Sequence, residues 1–178
     1  RFDESREDSR VDRAYDAPVG AMSLNWNSVN IFIRPTKKGD LASVYLDPEN
    51  GYLKLSNKVR TVSGSGQNIS VDRVVLKEGA ESFTVSGTIG AEAKEFVIYK
   101  NIQNPDLWAG ENLKSFLAQR GVHVSGQVRR GTLKSGELVA EYESKSIDSI
   151  LADMNKFSNN YVAEMLAKNL AATQSKPA

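Results

Sequence analysis

Few residues of this chain are of types that do chemistry on their own. There is no Cys, which removes a thiolate nucleophile, a thiolate zinc site and a disulfide framework together. His123 is the single His. A nucleophilic triad would need a Ser and an acid folded around it, and a metal would need a second His or Cys, so it reads as a structural or surface residue. No acidic loop has calcium-loop spacing. Ser63-Gly64-Ser65-Gly66 lacks the Lys-Ser/Thr of a phosphate-cradling loop and does not open a helix, so it reads as a flexible β-loop. What remains is hydroxyl and amide chemistry. Ser-x-Asn occurs at residues 23–25, 28–30 and 158–160. Taken alone the tripeptide reads as a helix N-cap, because Ser and Asn oxygens accept the orphan N–H groups of a helix start. The third copy, Ser158-Asn159-Asn160, is set apart by falling between two helical patterns.

Those patterns close a chain that is mostly β before them. Residues 1–16 are highly charged without apolar periodicity and read as an arm. From 19 to about 99 the spacing predicts strands at 21–25, 29–33, 41–46, 69–76, 82–89 and 96–99. Turns are expected at 25–27, 35–40 and 47–51, and the last three strands suggest one antiparallel sheet. Pro105, Leu107, Trp108, Leu113, Phe116 and Leu117 predict a helix that Gly121 ends. Residues 122–128 and 138–142 look like further strands. Ser146 can cap a helix with Ile147, Ile150, Leu151 and Met154 on one face. After a break at 155–160, Val162, Met165, Leu166 and Leu170 predict a second helix, and 173–178 form a polar tail.

The 178 residues carry 23 Lys and Arg against 22 Asp and Glu, a net charge of +1, with the signs interspersed. No basic stripe for nucleic acid or an anionic membrane follows from that balance. No apolar run approaches the ~20 residues needed to span a bilayer. Apolar residues at 40% and charged ones at 25% suit a folded core. The chain starts at Arg1 without an initiator Met or a signal peptide, as a processed, trimmed or fragmentary chain would.

Around the third Ser-x-Asn, "DMNKFSNNYVAEMLAKNL" resembles the second-motif region of the D-alanyl-D-alanine carboxypeptidase/endopeptidase family, the class C low-molecular-mass penicillin-binding proteins. Two further stretches, "YDAPVGAMSLNWNSVNIFIRP" and "YKNIQNPDLWAGENLKSFLAQRGVHVSGQVRRG", are similar to the family in the family's order. The resemblance implies an α+β fold. Residues 1–142 would be β-rich inserted domain structure, with 1–16 as its charged arm. Residues 143–178 would be helices of a penicillin-recognising serine-transpeptidase-like domain.

It also implies a mechanism that this chain carries only in part. An activated Ser attacks the carbonyl between two D-amino acids of a peptidoglycan stem peptide, and water later releases the acyl-enzyme. Ser158 would relay a proton to the leaving amine, Asn160 would hold the substrate backbone, and Asn159 has no chemical role. No Ser stands three before a Lys anywhere here, so the family's nucleophile motif is expected upstream of Arg1. Lys134-Ser135-Gly136 imitates the third motif but precedes Ser158, and the family's order places the true one beyond Ala178. The expectation is therefore an internal segment, inactive alone, of an exported periplasmic or cell-wall enzyme. Its partners would be stem peptides, β-lactams and the remaining segments of the same protein, with no cofactor, metal, nucleic acid or membrane span. A noncatalytic β-rich binding module and a β-lactamase-like hydrolase are the alternatives.

Overall fold

Alternation along β1, Ser28–Arg34, places Val29, Ile31 and Ile33 on one face, and all three are fully buried. The computed structural model describes residues 16–131 and 135–174. The charged arm (apart from Asp16), Lys134 and the last four residues lie outside them. β1 is the centre of an antiparallel sheet, flanked by β2, Ser43–Asp47, and by β6, Phe96–Asn101. Ile31 faces Leu46 on one side and Ile98 on the other. On the opposite face Phe32 and Tyr45 stack with ring centroids 5.0 Å apart.

A second sheet has β5, Glu81–Gly90, at its centre, between β3, Leu53–Val62, and β4, Gln67–Val75. β5 pairs parallel with β3 and antiparallel with β4. Two expectations are corrected here. The strand at 96–99 leaves its expected sheet to pair with β1, and its place beside β5 goes to β3, which alternation did not reveal. Only Leu53, Val59 and Thr61 of β3 are buried, because Lys, Ser, Asn and Arg occupy much of the rest, so pairing rather than apolar pattern defines it. Gly87 of β5 lies at φ 118°, and a Cβ there would stand 2.0 Å from the Asn68 carbonyl oxygen of β4, so the two backbones need a glycine at this crossing.

Phe83, Val85 and Ile89 of β5 join Val29, Ile31, Ile33, Val59 and Trp108 in one core between the sheets. Each such fully buried side chain contributes about 1.5–3 kcal/mol relative to exposure. Trp108 belongs to α1, Pro105–Gln119, which begins with Pro at its first position, where the missing N–H costs nothing. Its ring meets Tyr52 edge-on at 5.8 Å.

A buried polar network ties the sheets to the start of α1. Arg73 and Glu81 form an ion pair at 3.3 Å. Glu81 also accepts from the Tyr52 hydroxyl at 2.5 Å and from the Gln103 N–H at 2.7 Å. Arg73 donates to the backbone and side-chain oxygens of Asn101 at 2.8 and 2.7 Å. Burial, followed by donation to the Glu81 carboxylate, raises the pKa of the Tyr52 phenol. A paired and hydrogen-bonded charge is the condition under which a carboxylate survives in a core.

The strands expected at 21–25, 122–128 and 138–142 do not form. The first is a series of bends. The second lies along α1, where Lys114 donates to the Gly126 carbonyl at 2.7 Å and Val128 comes so near Gly110 that a Cβ there would stand 2.5 Å from its methyl carbon. No strand among the described residues pairs with either of the last two, and an alternating segment without an edge to join stays irregular. The closing helices are α2, Ile147–Phe157, and α3, Asn160–Gln174.

Candidate functional site

α2 starts after an extended Ser146, whose hydroxyl bonds Ser149 at 3.0 Å and leaves the expected side-chain cap unmade. Asp148 in the first turn lies at the positive end of the helix dipole. Hydrogen bonding from Ser146 holds its carboxyl below the ordinary range. Ile147, Ile150, Leu151 and Met154 share a face as expected, yet no α2 side chain is buried.

The helix stops at Ser158, which adopts left-handed φ 50° and ψ 45°. Its N–H and that of Asn159 return to carbonyls of the last turn, the latter to Met154 at 3.0 Å. A non-glycine residue in this region costs about 1–2 kcal/mol, so the reversal holds Ser158 where Gly would sit with less strain. Two residues later, at Asn160, the chain is helical again. Asn159 caps α3, its Oδ1 accepting from the Val162 N–H at 3.1 Å while its carbonyl accepts from Ala163.

The capping function that the bare tripeptide suggests thus falls on the middle residue alone. Ser158 and Asn160, one on each side, are exposed. A single residue separates them, at the corner where α2 gives way to α3. A hydroxyl can donate and accept together, and a carboxamide offers two donors and an acceptor, the set that reads a peptide backbone.

Tyr161 follows directly and is the one buried side chain of α2 and α3, at 6% exposure. Its hydroxyl donates to Ser23 Oγ at 2.6 Å and accepts from Asn27 Nδ2 at 3.3 Å. Asn27 closes a turn, Asn25–Asn27, whose three residues all have left-handed φ, from 49° to 53°. Between this turn and the helices Trp26, Ile150, Met154, Phe157 and Val162 line a cavity of about 220 Å³, with Lys145 and Asp153 paired at 3.1 Å among its lining residues. Sequence reasoning foresaw the turn but not its link to the motif. The signal available was a lone aromatic beside the motif, which periodicity does not single out.

The other candidates stand apart. His123 is exposed in an irregular segment. Residues 63–66 are an exposed connection from β3 to β4, with no helix after it. Ser135 and Gly136 are exposed, and Lys134 is outside the described residues. Among the described residues no group of three or more acidic or His side chains could hold a metal ion, and no helix is long and apolar enough to cross a membrane.

Residues 3–178 match the D-Ala-D-Ala carboxypeptidase 3 (S13) family. The chain is 29% identical over 168 residues to the D-alanyl-D-alanine carboxypeptidase of Actinomadura sp. (strain R39), a match covering 88% of this chain and 31% of that protein. It is 30% identical over 90 residues to D-alanyl-D-alanine carboxypeptidase DacB of Haemophilus influenzae, covering 50% of this chain and 19% of the relative. Among solved structures it resembles penicillin binding protein 4 (dacB) from Haemophilus influenzae with a TM-score of 0.62 at 20% identity, over 85% of this chain and 34% of that one. A complex of that protein with a β-lactam matches at 0.56 and 20% identity, over 81% of this chain and 33% of that one. The chain thus spans about a third or less of the length of these relatives, and the structural likeness establishes a shared fold.

Proposed function

The chain belongs to the D-Ala-D-Ala carboxypeptidase 3 (S13) family, and from that premise we propose that it is the second-motif segment of a serine D-alanyl-D-alanine carboxypeptidase/endopeptidase acting on peptidoglycan stem peptides. The division follows the chain: residues 1–142 are inserted β-rich structure, and 143–178 contribute helices to the catalytic domain. The whole enzyme works outside the cytoplasm, in the periplasm or cell wall, and is acylated by β-lactams.

Its nucleophilic Ser, supplied by polypeptide beyond this chain, adds to the carbonyl carbon between two D-amino acids. Collapse of the tetrahedral adduct breaks the C–N bond and leaves an acyl-enzyme, which water hydrolyses. The departing amine must gain a proton as the bond breaks. Ser158 passes it through its hydroxyl, receiving one proton as it gives up another, while the Asn160 carboxamide holds the substrate backbone in line.

The observation that carries this reading is the division of labour at the helix corner. Asn159 takes the cap and Tyr161 the attachment, and the hydroxyl and amide on either side of Asn159 stay exposed. The test is acylation of the parent protein by a fluorescent penicillin. Ser158→Ala is expected to slow labelling by about 10²-fold or more, the usual size of a positioned acid–base contribution. Unchanged labelling of that variant removes the proton-relay role.

A further inference from the structure

We infer that Tyr161 is a positioning residue that fixes the Ser158–Asn160 corner by latching it onto the left-handed Asn25–Asn27 turn. The inference rests on the reading of Ser158 and Asn160 given above, and names what holds them in place.

The latch is built from both sides. On the helical side Tyr161 is the one side chain of α2 and α3 that is buried, and it directly follows Asn160. Its hydroxyl uses both capacities, donating to Ser23 Oγ at 2.6 Å and accepting from Asn27 Nδ2 at 3.3 Å. On the sheet side Asn27 is fully buried. Its Nδ2 also donates to the Pro18 carbonyl at 2.8 Å, and its Oδ1 accepts from the Leu24 N–H at 3.3 Å.

The receiving turn is itself anchored to the core. The Asn27 carbonyl accepts from Ile102 N–H at 2.8 Å, just past β6, and the Leu24 carbonyl accepts from the indole N–H of buried Trp108 in α1 at 3.2 Å. Three successive non-glycine residues at positive φ would not persist without such over-determination, since each carries a conformational cost. The phenol of Tyr161 therefore docks on a turn that β6, α1 and its own side chains hold rigid. With residue 161 fixed there, a displacement of the corner beside it requires breaking these bonds.

What this does for the reaction is geometric. A proton relay and a backbone clamp work only when held within a fraction of an ångström of the substrate, and a small displacement is costly in rate. Removing the phenolic oxygen leaves the ring to fill the same space but releases the latch.

The experiment measures the second-order rate of acylation by a fluorescent penicillin on the parent protein, for Tyr161→Phe, for Ser23→Ala and for each combined with Ser158→Ala. With Ser158 present, each latch variant is expected to slow acylation by about 3- to 10-fold, the scale of one lost hydrogen bond. In the Ser158→Ala background the same changes are expected to slow it by less than half as much, because only Asn160 of the two positioned groups remains. Equal slowing in both backgrounds would mean general loosening and would overturn the positioning role. Wild-type rates in both latch variants would overturn it as well. Ser23→Ala, at an exposed residue, serves the same purpose should Tyr161→Phe fold poorly. If the wild-type parent takes no label at all, the acyl-transfer reading itself fails and takes this inference with it, an outcome distinct from a labelled parent with indifferent variants.

Discussion

The two sheets and the helical corner differ in where their stability resides. Within the sheets Phe83, Val85, Ile89, Ile31 and Ile33 are entirely shielded, and the charged pair Arg73–Glu81 is buried with partners for its charge. In α2 and α3 the apolar residues are just as regular, but Ile147, Leu151, Phe157 and Leu170 are exposed, Ile150, Met154 and Val162 are only half-buried, and Tyr161 alone is fully covered. Helices of this length are marginal in water without a packed face. The part of the chain that bears the motif is thus held by the Tyr161 latch, local capping and a partly filled apolar contact with Trp26, whereas the part without it has a core of its own. Ser158 and Asn160 therefore stay exposed at the edge of a body that has its own core.

The most direct way to break this contrast is to make the same substitution in both regions. Phe83→Ala empties a fully buried site and is expected to lower the unfolding free energy by about 3–5 kcal/mol. Phe157→Ala, at a residue 65% exposed, should change it by less than about 0.5 kcal/mol in this chain. Denaturant titration of the two variants decides the matter, and comparable losses would mean that the helices share the core after all. Next in size is Glu81→Gln. The amide oxygen still accepts from Tyr52 and Gln103, but its NH2 then faces Arg73 as a donor, leaving a buried cation without its counter-charge. A loss of about 3 kcal/mol is expected by the same titration.

The contrast also explains what could be read from the chain beforehand. β1, β5 and α1 were legible because their burial is one-sided and their residues alternate or recur accordingly. β3 was not, since Lys54, Asn57, Lys58 and Arg60 interrupt its pattern and its place is set by parallel pairing with β5. Residues 122–128 failed in the opposite sense, alternating well with no strand to join. At the site, the Ser158–Asn160 corner was legible as helix, break and helix. The assignment of the cap to Asn159 and of the attachment to Tyr161 was not. Both depend on which carbonyl, N–H or hydroxyl the fold brings near, and the partners of Tyr161 lie 134 and 138 residues away in sequence.

The irregular segment over α1 offers the finest test of the comparison, because it belongs to neither region. Arg130 grips Asp106 with two of its nitrogens and donates to Asn104 Oδ1 at 2.5 Å, fastening the segment to the first turn of α1. The Arg130 guanidinium, through its hydrogen bonds, holds the Asp106 carboxyl below the ordinary carboxylate range. A carboxyl depressed on folding adds stability that is present in full above its unfolded pKa of about 4 and is lost as the pH falls through the folded value. Both side chains are more than a third exposed, so solvent screening limits the pair to about 0.5 kcal/mol. Arg130→Gln should therefore be less stable than the unsubstituted chain by that amount at pH 7, and the gap should close on acidification below pH ~4. A gap that persisted at pH 2 would assign the fastening to the Asn104 contact and to packing of the Arg stem, and the segment would then count with the core by shape instead of by charge.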